Sequence, residues 1–347
     1  MDFRLTDEQQ MLATMIGEML AENCTGADLR RLLDSGEARD AARWEQIVAL
    51  GLPGTMAPEK AGGSGLGQVE MALIAIACGN AALPEPLVEH AGVVVPMLAT
   101  AGVDLDGALA GETIAVGHPV NPLVADADTA TALLLADGPS VHLVPAGQAM
   151  LVRRPSIDPF RRLFEVEWTP TAATRIGGKS LWDAGFEHGA LFTAAQLLGL
   201  AQRAIDLSVA YAADRQQFGK PIGAFQAVKH HLANAQVKIE FARPVVLAAA
   251  AMPPSPLARA RVSHAKLAAA AAAEVATHAA VQVHGAMGYS WEVDVHFLLK
   301  RSLALGQSWG TPAFHRARIT EHVLATPLGA DRTFDAGPAR ELRSAAA

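Results

Sequence analysis

Over most of the chain apolar residues recur three or four positions apart, the spacing that keeps one face of an α-helix turned toward a core. In residues 186 to 213 this face carries Leu191, Ala195, Leu198, Ala201, Ile205 and Val209. A turn must follow, because Gly219 supplies a left-handed helix cap and Pro221 forbids continuation. Arg215 falls in the predicted last turn, where the helix dipole favours a cation. The period resumes near Phe225 and runs through Val228, Leu232, Ala235 and Ile239. Two further helices, Leu257 to about His284 and from about Val293 onward, make residues 177–326 a four-helix bundle. Near the start, Thr6 and Gln9 have the spacing of a capping box for a helix bearing Met11, Leu12, Met15, Ile16, Met19 and Leu20. Helices around Trp44 to Leu50 and from about Val69 to Ala77 complete a helical amino-terminal domain over 1–110. Between 111 and 176 the pattern switches to short runs, at 113–116, 132–135, 141–144 and 164–168, with Gly138-Pro139 and Pro145-Ala146-Gly147 between them. That predicts a small β-domain. Residues 327–347 lack an apolar period and are predicted to be a disordered tail. The fold class is therefore mainly α, of the α+β kind.

Composition narrows the possibilities. A chain of 347 residues is too long for one compact core and suggests two or three domains. A net charge of -7 argues against a broad nucleic-acid surface, which needs clustered Lys and Arg. Cys24 and Cys78 lie in apolar helical patterns and form no metal-like or redox pair, which fits a reducing cytoplasm. The amino terminus does not read as a signal peptide, and no stretch approaches the roughly 20 apolar residues of a membrane span, so a cytoplasmic protein is expected.

Several motifs fail on inspection. Glu59 to Gly67 is glycine-rich, but Pro58-Glu59-Lys60 precedes it where a dinucleotide fingerprint needs a hydrophobic strand. Gly178-Lys179-Ser180 ends like a phosphate-binding loop, yet Ala173 stands where the earlier glycine is required. His230, His231, His264, His278, His284 and His296 form no zinc-ligand framework, and no Gly-x-Ser-x-Gly elbow occurs. What remains is the turn. Arg215, Phe218 and Gln226 put a planar guanidinium, an aromatic ring and an amide at the tip of a helix hairpin. Together they suit a flat phosphorylated ligand. The plainer alternative is a capped helix end with a solvated Arg and a core Phe.

Arg215-x-x-Phe218-Gly219-x-x-Ile222-x-x-x-Gln226 resembles the flavin-contacting signature of the acyl-CoA dehydrogenase family, and Gln282-Val283-His284-Gly285-Ala286-Met287-Gly288 resembles the family's Gln-x-x-Gly-Gly-x-Gly segment. Phe3-Arg4-Leu5-Thr6-Asp7-Glu8-Gln9 and Leu50-Gly51-Leu52 running into Pro58-Glu59 are similar to its helical amino-terminal domain. The resemblance implies FAD, contacted by Arg215, Phe218, Gln226, Gln282 and Gly285, and a bundle through which subunits associate and complete each other's flavin sites.

The departures from the family are patterned. At about 66 residues the β-domain is short for a family middle domain, and it lacks both the Thr-Glu-Pro-x-x-Gly-Ser-Asp-like turn and the Trp-Ile-Thr-like strand. The reaction needs a base for the α-proton while the β-hydride goes to the flavin. Where most of the family has that glutamate this chain has Trp309, in Ser308-Trp309-Gly310-Thr311. At the minority position it has Gly189, followed by Ala190 in place of an arginine. No catalytic residue and no metal ligand is therefore assigned. The resemblance is strongest to the shortened subunit of actinobacterial heterotetrameric dehydrogenases of the steroid side-chain type. It implies a full-length partner subunit that shares the FAD and supplies the glutamate. Two alternatives stay open: a homo-oligomeric enzyme with Glu187 or Glu292 as a relocated base, and a flavin-free scaffold.

Overall fold

The computed structural model describes residues 4–325. Seven helices come first: α1 Asp7–Asn23, α2 Gly26–Ser35, α3 Ala41–Ala49, α4 Gln68–Asn80, α5 Leu87–Glu89, α6 Val95–Ala101 and α7 Asp106–Leu109, with a π-helical stretch at His90–Val94 between α5 and α6. The Thr6–Gln9 capping box is present, and Thr25 with Asp28 forms a second one at α2. Arg43 ties α3 to the segment before α5 by a bidentate pair to Glu85, both bonds at 2.7 Å. The glycine loop at 59–67 leads into α4 from a short 3-10 turn, with no strand before it.

The middle segment holds β1 Ile114–Gly117, β2 Val124–Ala125, β3 Ala132–Asp137, β4 Ser140–Pro145, β5 Met150–Arg154, β6 Leu163–Glu167 and β7 Arg175–Gly177. They form a four-stranded sheet ordered β1-β3-β4-β7, parallel only between β1 and β3, and a three-stranded antiparallel sheet ordered β2-β6-β5. Alternation along β3 splits its side chains between two cores. Leu133 and Leu135 pack with Val144 and Phe164 inside the β-domain, whereas Leu134 joins the helical core. The strands β2, β5 and β7 were absent from the sequence pattern because they are short or exposed.

The carboxy-terminal helices are α8 Lys179–Asp214, α9 Gln226–Ala250, α10 Pro256–His284, α11 Val295–Gln307 and α12 Pro312–Ala325. At 36 residues α8 spans about 54 Å and begins at Lys179, earlier than its clean apolar period. The fourth expected helix is split into α11 and α12 by Ser308 to Thr311. Val209 is 52 % exposed, so it leaves the apolar face assigned to it as α8 runs out of neighbours. Where α4 crosses α8 the backbones touch: a Cβ on Gly79 would lie 2.0 Å from the Gln196 carbonyl oxygen, and one on Gly199 would lie 1.9 Å from that of Ile76. This crossing seats the amino-terminal domain on the bundle. Cys24 and Cys78 are both free and buried, and burial pushes the Cys24 thiol up to about 12. Among the described residues no helix is long and apolar enough to cross a membrane, and no group of His, Cys, Asp or Glu could hold a metal. The predicted tail lies outside the described residues.

Candidate functional site

The turn between α8 and α9 is built differently from the sequence expectation. α8 stops at Asp214, and Arg215 is its cap in an extended conformation, its N–H donating to Tyr211 O at 2.9 Å. Then comes a two-residue hairpin loop. β8 (Gln216–Gln217) pairs with β9 (Lys220–Pro221), and Phe218 and Gly219 between them have φ of 53° and 76°. Two consecutive positive φ values are the signature of a type I′ turn, so Gly219 serves the hairpin and not a helix cap. Ile222 N–H closes the loop on Arg215 O at 2.8 Å. The following 3-10 turn, Ile222–Ala224, sits so close to α8 that a Cβ on Gly223 would be 3.0 Å from Ala212 O.

The hairpin projects outward. Phe218 is 90 % exposed, its ring meeting only Phe225 edge-on at 6.0 Å, with Lys220 Nζ over Phe225 at 4.4 Å. The reading of Phe218 as core is therefore excluded. Arg215 is exposed, and its guanidinium has no hydrogen bond or ion pair to a described residue. Tyr211 stacks on His284 at 4.2 Å, which fixes the end of α10 beside the end of α8. Gln282 and Gly285 flank that histidine, and both are exposed. Gly285 has φ 59° and ψ −134°, a backbone that favours glycine. Gln226, also exposed, opens α9 just after the hairpin. The five residues singled out in the sequence thus face away from the chain's own body around one end of the bundle.

The second region lies between the β-domain and α8. Trp309 is fully buried, in a left-handed conformation with φ 54°. Its indole rests on the backbone of Gly189: a Cβ there would be 2.2 Å from Cδ2 and 2.4 Å from Cε2. The two positions from which a base was sought are therefore one contact, with the side chain of one occupying the space left by the other. Every polar atom of Trp309 is satisfied. Nε1 donates to Glu89 Oε1 at 2.9 Å, the backbone N–H donates to Asn121 Oδ1 at 2.7 Å, and the carbonyl accepts from His315 Nε2 at 2.9 Å. That bond leaves His315 Nδ1 to accept from the Ser263 hydroxyl at 3.0 Å. Burial pushes His315 down to about 4, so its ring is neutral at physiological pH.

The rest of the cleft is shut by charge. Asp158, in the loop between β5 and β6, is ion-paired with Arg301 of α11, and Arg301 also donates to Leu83 O at 2.8 Å. Arg161 donates to Ser308 Oγ and lies 3.8 Å from Glu89. The cavity left between Glu89, Asp126, Arg161, Gly189 and Phe192 is about 60 Å³, well below the roughly 300–1,000 Å³ of a small-molecule site. Glu187, one of the relocated-base candidates, is bound by Arg318 at 2.5 Å, and burial holds its carboxyl above the usual range against that cation. Glu292, the other, is exposed.

Two family descriptions match: "Acyl-CoA dehydrogenase, N-terminal domain" over residues 6–104 and "Acyl-CoA dehydrogenase, C-terminal domain" over 177–324. Acyl-CoA dehydrogenase IpdE2 of Mycolicibacterium smegmatis is 31% identical over 324 residues, covering 92% of this chain and 100% of its own length. The chain belongs to the acyl-CoA dehydrogenase family. Its acyl-CoA dehydrogenase homologues support an oxidoreductase acting on the CH-CH unit of an acyl-CoA thioester, with FAD as cofactor. Among solved structures, the ChsE4-ChsE5 complex of Mycobacterium tuberculosis matches with a TM-score of 0.84 at 24% identity, covering 94% of this chain and 100% of the matched one. The Tcur3481-Tcur3483 steroid dehydrogenase variant gives 0.79 at 22%, over 91% and 97%. Both likenesses concern the fold. The two family matches stop at 104 and resume at 177, on either side of the β-domain whose cleft is shut.

The sequence had named Trp309 and Gly189 separately, as losses. It did not show Glu89, Asn121 and His315 as the groups that hold the indole in place. Only the numbering distance between Gly189 and Trp309, 120 residues, stood in the way.

Proposed function

We propose that this chain is the non-basic subunit of a heteromeric acyl-CoA dehydrogenase, sharing FAD with a full-length partner subunit that supplies the glutamate. The observation that carries the reading is the sealed contact of Trp309 on Gly189. A 60 Å³ remnant cannot take a flavin ring and an acyl thioester, so this cleft does not fit the cofactor's reactive end. The bundle tip does fit the other end. There an exposed Arg215, unpaired among the described residues, and a 90 % exposed Phe218 stand ready for a phosphate and a flat ring presented by another chain. When bound, FAD would supply the acceptor for the thioester's β-hydride; this chain's part would be to hold its phosphates with Arg215 and to frame it with Phe218, Gln226, Gln282 and Gly285. The similar structures in two-component complexes support such a partner, and the steroid dehydrogenase among them suggests a steroid-derived acyl-CoA as the substrate class.

The test is the visible spectrum and subunit stoichiometry of this chain expressed alone and with a full-length dehydrogenase subunit. Flavin only in the mixed complex, at one per pair of chains and lost on Arg215→Ala, is the expected result. Stoichiometric flavin and acyl-CoA oxidation by this chain alone would overturn it. A second reading, a homo-oligomer using Glu187, draws on that carboxyl's raised affinity for protons and on the cavity of about 450 Å³ it lines with His188. Glu187→Gln should leave turnover of the complex unchanged; loss of turnover would favour this second reading.

A further inference from the structure

A cavity of about 500 Å³ lies between α1, α2 and α4 of the amino-terminal domain and α8, α9 and α11 of the bundle. It shares no residue with the Trp309 cleft or with the flavin-facing tip, and its size is that of a small-molecule site, roughly 300–1,000 Å³. Its wall is apolar, built by Leu20, Leu29, Leu73, Ile76, Phe297 and Leu298. Two cations interrupt it: Arg203 of α8 and Arg243 of α9. Both are half-buried, and among the described residues neither has a hydrogen-bond or ion-pair partner.

The lining's one carboxylate and its glutamine do not answer them. Asp294 is bound to Arg30, and Gln202 is engaged with Asp206 at 2.9 Å and Gln236 at 3.1 Å. Half-buried guanidinium groups without a counter-charge, facing an apolar cavity, call for an anionic group attached to an apolar body. We propose that this cavity binds a small acidic amphiphile, a free carboxylate with an aliphatic or alicyclic body, its acid gripped by Arg203 or Arg243. The fork geometry of Arg favours a carboxylate taken up bidentately, and the apolar remainder of the wall favours an aliphatic or alicyclic body. The inference goes beyond the shared-flavin reading and does not depend on it.

Gly17 gives a decisive variant. It lies in α1 on the cavity wall, and a Cβ there meets nothing within 4 Å. Gly17→Leu therefore has room at its Cβ, extends a side chain into the site and improves the helix. The experiment is calorimetric titration of the full-length chain, alone and in complex with a partner subunit where one forms, with decanoate and, as the uncharged probe, decanol. Wild type should bind decanoate saturably at one site per copy of this chain. The Arg203→Ala/Arg243→Ala variant should weaken decanoate about ten-fold or more, the loss of one charge-assisted bond, with decanol little changed. Gly17→Leu should weaken both probes while its melting temperature does not fall. Absence of saturable decanoate binding, or equal binding in wild type and Gly17→Leu, would overturn the proposal. Flavin absorbance of the same samples reports on the shared-flavin reading separately, and neither titration result alters it.

Discussion

The contact between Trp309 and Gly189 can be tested by a double-mutant cycle whose signs are set by geometry. Truncating a buried tryptophan to alanine costs about 3–5 kcal/mol through lost burial and the cavity left behind. Trp309→Ala also strands Glu89 and opens the cleft beside Arg161. At about 2–4 °C per kcal/mol for a unit the size of the bundle, the melting temperature should fall by roughly 6–20 °C. Gly189→Ala places a Cβ 2.2 Å from the indole in the middle of a 36-residue helix, where neither partner can retreat. Overpacking of that kind costs about 1–3 kcal/mol. In the Trp309→Ala background the clash is gone and the intrinsic preference of a helix for Ala over Gly, about 1 kcal/mol, should make Gly189→Ala neutral or stabilising. The sign of one substitution therefore reverses with the residue opposite it. Thermal unfolding of the four proteins reads the cycle. If Gly189→Ala is harmless in wild type, or equally harmful once Trp309 is truncated, the indole does not lie on that helix and the argument for a sealed cleft collapses.

Phe218→Ala should leave the melting temperature unchanged, since the ring touches little of its own chain, yet lower the flavin content of the mixed complex; a drop in stability with full flavin would assign it a folding role instead. Lys266, 1 % exposed, donates to Leu305 O at 2.8 Å and Gly306 O at 3.1 Å, capping the end of α11. Burial pulls its ammonium down to about 7 from 10.5, so the unfolded chain binds the extra proton between those values and stability should rise with pH from about 7 to 10. Lys266→Met should flatten that rise in melting temperature, and an identical pH profile in the variant would refute the assignment. His90, His118, His188, His296 and His315 are all pushed down to about 4 by burial. They are neutral in the fold and charged in the unfolded chain at pH 5, so their contribution is complete above 6.5 and lost as pH falls toward 4. Unfolding near pH 5 should take up about one proton per histidine, measurable as the slope of stability against pH; a flat slope there would contradict their burial.

How much of this could be read from the residues alone depends on the range of each interaction. The bundle helices and α1, α3 and α4 follow from local spacing, and the capping box at Thr6 needs only three residues of context, whereas α2, α5, α6 and α7 are ten residues or fewer, too short for a period to stand out. The hairpin at Phe218 was misread as a helix cap because Gly219 serves either, and the choice depends on Phe218 also adopting positive φ, which a phenylalanine rarely does. Its outward projection is equally invisible in sequence. Exposed Phe and buried Phe are the same letter, and only the absence of any element packed over the hairpin separates them. The break at Ser308 to Thr311 is marked in the sequence by Gly310 and by Pro312, which opens α12, and was passed over because the helical spacing resumes directly beyond it.

The case of Trp309 goes further. Read singly, it is a missing base, and Gly189 is a second missing base on another helix; two deletions suggest only decay. Brought together at 2.2 Å they become one complementary unit, a large side chain seated where a small one leaves room, with Glu89, Asn121 and His315 each satisfying one polar atom of the insert. A cleft that had merely lost its glutamate would keep its volume and its water. This one has exchanged volume for packing, and four groups from four different segments of the chain, Gly189, Glu89, Asn121 and His315, agree on the position of a single residue. Such agreement across segments is what distinguishes a fold adapted to a closed cleft from one in which a residue has simply been lost. Reopening that cleft therefore requires more than Trp309→Glu: a carboxylate at 309 would be buried beside Glu89, without the room or the polarity that a base needs, and should cost stability without restoring any oxidation of acyl-CoA by this chain alone.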